Sequence, residues 1–113
     1  MISVAAFRKL ALSLPDAIEA PHFKLASFRA GGKIFSTLSE KDERAMVKLT
    51  PEQQEMMTGA EPKMFQRIPN AWGDKGATWL YLKFVGARTA GSALKTAHAN
   101  LLTKAPARKA KGK

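Results

Sequence analysis

The chain has 113 residues, 45% of them hydrophobic and 25% charged, which is enough apolar material for one globular core and too short a chain for two. Its 19 basic and 9 acidic residues leave a net charge of +10, so a polyanion is the first class of partner to weigh. The absence of cysteine excludes disulfide frameworks, zinc–thiolate and iron–sulfur sites and thiol nucleophiles, and no apolar run approaches the roughly 18 residues of a membrane span.

At the N-terminus, Phe7, Leu10, Ala11 and Leu14 recur at helical spacing, with Ser3 available as N-cap and Pro15 ending the pattern, so residues 3 to 14 read as an amphipathic helix. Arg8 and Lys9 follow the first apolar residues, the reverse of a signal peptide's order, and a cytoplasmic protein is expected. Residues 17 to 23 contain Pro21 and fit an edge strand, where a missing N–H is tolerated. Ser27 to Ala30 and Lys33 to Leu38 flank Gly31-Gly32, a pair suited to the positive φ angles of a two-residue hairpin turn. With Ala30 opposite Lys33, Phe28 falls opposite Phe35 on the core face and Arg29 opposite Ile34 on the other.

Glu40 to Arg44 reads as a charged turn, and Ala45 to Leu49 as the next strand, with Ala45, Val47 and Leu49 on one side and Met46 and Lys48 on the other. Thr50-Pro51-Glu52-Gln53 is a capping box with proline at the first helical position, so a helix spans 51 to 58 and Gly59 stops it. A turn at Glu61 to Phe65, a brief strand at Gln66 to Pro69 and a turn around Trp72 to Gly76 lead into a strand at Thr78 to Phe84. That strand alternates Leu80, Leu82 and Phe84 against Trp79, Tyr81 and Lys83. Ala90, Leu94, Ala97, His98 and Leu101 mark a last helix over 89 to 103. The expected fold is a single α+β domain at 1–103, an antiparallel sheet with helices on one face.

Charge is unevenly spread. Up to Asp74 there are ten basic and nine acidic residues; after it there are nine basic and none acidic. Lys104, Arg108, Lys109, Lys111 and Lys113 stand among alanine, proline and glycine without an apolar anchor, so 104–113 reads as a disordered basic tail.

Leu14-Pro15, Ala20-Pro21-His22-Phe23, Ser27-Phe28-Arg29, Gly32-Lys33-Ile34-Phe35, Val47-Lys48-Leu49, Ala71-Trp72-Gly73 and Thr78-Trp79, in this order over roughly residues 7 to 103, together resemble the YjbR/MmcQ family. The resemblance implies a compact α+β fold similar to frataxin and its bacterial counterparts, with two hairpin wings, and a DNA-binding role. The chain departs from the family's usual last helix, which often carries an aromatic residue where His98 stands, and acidic residues that are absent here.

No residue pattern argues for catalysis, and no enzyme activity or cofactor is expected. The carboxylates Asp16, Glu19, Glu40, Asp42, Glu43, Glu52 and Glu55 sit in turns or a first helical turn, no G-x-S-x-G elbow occurs, and Gly73-Asp74-Lys75-Gly76 lacks P-loop spacing. His22 and His98 stand apart from any acid at metal-ligand spacing and read as structural, His98 as a core histidine donating one hydrogen bond. The iron chemistry of frataxin-like folds needs a carboxylate ridge on the first helix; this one has no acid and presents Arg8 and Lys9, so no metal is expected.

DNA binding needs cations for phosphates, and unpaired bases need aromatic faces. The candidates are Lys24, Arg29 and Lys33 at the first hairpin and Trp72, Lys75, Trp79, Tyr81 and Lys83 at the second. The plainer reading covers Trp79 and Tyr81 with a helix and plugs the core edge with Trp72. A protein-interaction or small-ligand module built on a Trp/Tyr patch is the alternative, with no particular protein partner indicated.

Overall fold

The computed structural model describes the backbone of residues 1–112 and the side chains of residues 1–101; residue 113 and the side chains of the expected tail at 104–113 lie outside the described residues. Four helices and six strands run α1 (Val4–Leu12), β1 (Ile18–His22), β2 (Leu25–Ala30), β3 (Lys33–Ser39), β4 (Arg44–Lys48), α2 (Pro51–Ala60), β5 (Phe65–Arg67), α3 (Ala71–Asp74), β6 (Ala77–Tyr81) and α4 (Ala87–Gly112). The strands form one antiparallel sheet in the order β1-β2-β3-β4-β6-β5. The two expected wings are its flanks: β2–β3 turns tightly at Gly31 and Gly32, with φ +60 and +80, and β5–β6 lies across β4 from it, joined through α3.

Local signals act where they were expected. The Ser3 hydroxyl accepts from the Ala6 amide at 3.0 Å, capping α1. At α2 both halves of the capping box form: Gln53 N–H donates to Thr50 Oγ1 at 3.1 Å and Thr50 N–H to Gln53 Oε1 at 2.9 Å. Gly59 does not end this helix. The Glu61 N–H still donates to the Met57 carbonyl, and Pro62 then pushes Glu61 out of helical geometry, to φ −135 and ψ 72.

Strand alternation divides the side chains between two faces. Helices α1, α2 and α4 cover one, where Phe7, Phe28, Phe35, Leu38, Val47, Leu80 and Leu94 are essentially inaccessible. The expected register holds at Ala30–Lys33 and Arg29–Ile34, but Phe28 pairs with Ser36, because β3 bulges at Phe35. Both phenylalanines still reach the core. Their ring partners are Phe7, 6.1 Å from Phe28, and His98, 5.4 Å from Phe35. His98 is 5% exposed and its Nε2–H donates to the Pro15 carbonyl at 2.8 Å, the buried single-bonded histidine expected.

The last strand is shorter than expected. Pairing stops at Tyr81, the Phe84 N–H turns back to the Tyr81 carbonyl, and Lys83 and Phe84 are left exposed in that turn. The stretch around Trp72 is a single helical turn, α3, in place of the expected irregular turn.

Candidate nucleic-acid interface

The second face of the sheet carries no helix along its length. Register places Ile18, Ala20 and His22 of β1, Ser27 and Arg29 of β2, Ile34 and Thr37 of β3, Arg44, Met46 and Lys48 of β4, Trp79 and Tyr81 of β6 and Gln66 of β5 on it. None of these is acidic. A small apolar cluster of Met46, Ile68 and Ala77, with Ile34 and Trp79 against it, forms the floor.

One end of this face is closed by α3, and three contacts fix that helical turn. The Asn70 carboxamide oxygen accepts from the Trp72 and Gly73 amides at 2.9 and 3.2 Å, satisfying N-terminal donors. Gln54, 7% exposed on α2, donates through Nε2 to the carbonyls of Gly73 and Ala77, each at 2.9 Å. Gly76 takes φ +115 against β4, where a Cβ would lie 1.9 Å from the Leu49 carbonyl oxygen, and Leu49 N–H donates to the Gly76 carbonyl at 3.2 Å. Trp72 and Lys75 therefore project from a pinned support.

Between α3 and the strands lies a cavity of about 370 Å³ lined by His22, Ile34, Thr37, Met46, Lys48, Leu49, Trp72, Lys75 and Ala77. Trp72 is 60% exposed, so it does not plug the core. Trp79 is half-buried under the Arg44 guanidinium, 4.0 Å from its ring centroid, and is covered by that cation and not by a helix. Tyr81 donates its hydroxyl to Gln66 Oε1 at 2.9 Å and meets Trp79 edge-on at 6.4 Å.

The ion pairs among the described residues use Arg8, Arg44 and Arg67 and no lysine. Arg8 joins Glu19 at 3.0 Å and Glu40, and its hydrogen bond to Glu40 outweighs burial in holding the guanidinium above its ordinary pKa. Glu19 faces the helical side with Phe28, so this acidic pair lies away from the cavity. Among the described residues, Lys48 and Lys75 have no carboxylate within 4.0 Å.

Of the residues singled out from sequence, Trp72 and Lys75 meet in the cavity, and Arg29, Trp79 and Tyr81 share its face. Lys33 begins β3 beside the glycine turn, and alternation sets it opposite in sense to Ile34. Lys24 occupies the β1–β2 turn at the other end of β2, beside Ser39, Glu40 and Lys41. Lys83 follows β6 at that same far end, where Leu82 N–H reaches the Glu43 carbonyl. Sequence reasoning missed His22 and Lys48 as cavity residues; the outward alternation of Lys48 was visible, but the proximity of β4 to α3 is a long-range fact. It also missed Phe23, 93% exposed in the β1–β2 turn with φ +60, its ring edge-on to His22 at 4.9 Å.

Among the described residues no three His, Asp or Glu side chains gather as a metal site, and no helix is long and apolar enough to cross a membrane. No curated protein matches the chain. The crystal structure of Deinococcus radiodurans protein DR2400, with the family-model domain DUF419, is similar to it in fold, with a TM-score of 0.78 at 20% identity over 92% of this chain and 81% of that one. Together with a fold similar to DR2400, the match of the YjbR family model to residues 12–103 means that the chain belongs to the YjbR family.

Proposed function

We propose that this YjbR-family protein is a non-enzymatic DNA-binding protein that holds phosphates on the uncovered face of its sheet, aided by the basic residues of 104–113. One observation carries the reading: Arg29, Lys48 and Lys75 share a face whose strands present no carboxylate, and none of the three has an ion-pair partner among the described residues, whereas Arg44 on the same face is paired with Asp42. Uncompensated cations on one side attract a polyanion, whereas scattered, paired cations would cancel.

The test is fluorescence anisotropy with a labelled duplex at several salt concentrations. For about 5 phosphate contacts, log K against log salt falls with a slope near −4.5, about three orders of magnitude over a fivefold salt increase. Binding indifferent to salt would overturn the proposal. Truncation after residue 103 is expected to reduce the slope and leave residual binding; loss of all binding would assign the activity to the tail alone.

The exposure of Trp72 favours a second reading, an apolar patch for an acidic protein partner. The two separate by mutation: phosphate binding falls more with Lys75→Glu than with Trp72→Ala, and partner binding through the ring does the opposite.

A further inference from the structure

The cavity beside α3 combines features that plain phosphate binding does not require. Its floor is apolar, from Ile34, Met46 and Ala77, and its wall is the indole of Trp72. A large ring left 60% exposed on a helical turn anchored by Asn70 and Gln54 is a pre-ordered platform, so stacking on it costs little further ordering. Lys48 and Lys75 flank the same space, unpaired, and no lining residue is acidic. The volume of about 370 Å³ lies at the small end of the range for organic ligands.

From these observations we infer that the cavity receives one unpaired heteroaromatic ring that carries negative charge beside it: a nucleobase stacked on Trp72, with its phosphate between Lys48 and Lys75. This rests on the DNA-binding reading and deepens it, since a base cannot enter while it is paired and stacked in a duplex. An unpaired nucleotide in a strand and a free mononucleotide share this chemistry, and the experiment separates them.

The full chain is titrated with a labelled, fully paired duplex, with the same duplex carrying one unpaired thymidine, and with thymidine monophosphate, reading anisotropy and tryptophan fluorescence. The unpaired site is expected to bind about tenfold more tightly than the paired duplex and to quench tryptophan emission, the size of one base–aromatic stack. Trp72→Ala, checked for folding by circular dichroism, should erase that preference, leaving the two duplexes bound with equal affinity, and Trp72→Phe should restore much of it. Equal affinity for both duplexes overturns the cavity assignment and leaves phosphate binding standing. Quenching by the monophosphate with no binding to either duplex overturns the DNA reading and keeps the cavity's ligand class, with a free nucleotide as its source. No response to any of the three overturns both.

Discussion

The two faces of the sheet are made by the same strands and behave as different materials. Toward the helices, Phe28, Phe35, Val47 and Leu80 lose all contact with water and interlock with Phe7 and Leu94. On the opposite side, the residues between them in sequence are Arg29, Ile34, Met46 and Trp79, a thin apolar floor beneath cations. Stability should therefore reside almost wholly in one face and binding in the other, because burial scales with apolar area removed from water whereas exposed cations contribute little to folding.

The sharpest way to break this division is a truncation on the covered side. Phe28→Ala empties a fully buried ring site and is expected to cost about 3–5 kcal/mol in urea unfolding; a cost below about 1 kcal/mol would mean that the helical side is not the core. Next in size is Gln54→Ala, which removes two buried hydrogen bonds, although the Gly73 and Ala77 carbonyls keep the Gly76 and Ile68 N–H donors, and should cost about 1–3 kcal/mol. Because α3 then loses its anchor, amide exchange should quicken at Trp72 to Gly76 more than in β2 or β3. Uniform quickening would deny Gln54 this local role.

Charge reversal of Lys48 and Lys75 together is expected to change stability by no more than about 0.5 kcal/mol per site. The same double variant should flatten the salt dependence of DNA binding by about 2 units of slope. An unchanged slope would move the phosphates elsewhere on the protein. A comparably small stability effect is expected at Phe23. With φ +60 and almost no buried area, Phe23→Gly relieves left-handed strain and adds freedom to the unfolded chain, so the two terms offset to within about 1 kcal/mol. A larger loss would show that the exposed ring supports the turn through His22.

Much of the fold was legible because it rests on short-range chemistry. The Gly31-Gly32 turn sets the register of its first two pairs, the Thr50–Gln53 capping box starts α2, and alternation in β4 sorts Ala45, Val47 and Leu49 from Met46 and Lys48. The bulge at Phe35 was not legible, since Phe35 followed by Ser36 has the same appearance as ordinary alternation until a partner strand must be matched. Asn70 could have been read as an N-cap for α3; the glycines after it favour a turn equally well. Of the candidate site, Trp72 and Lys75 were visible as a ring and a charge. Their meeting with His22 and Lys48 was not, because β6 lies beside β4 only after α2, β5 and α3 have intervened in sequence.

The extra residue in β3 has an architectural consequence. Phe35 is the surplus member of the ribbon: pairing is regular on either side of it, and excising it would leave Arg29–Ile34 and Phe28–Ser36 as successive rungs of a straight ladder. Bulges heighten local coiling, so a version of this chain one residue shorter there should possess a flatter sheet, a shallower trough between Ile34 and Trp72, and a histidine at position 98 deprived of its aromatic neighbour.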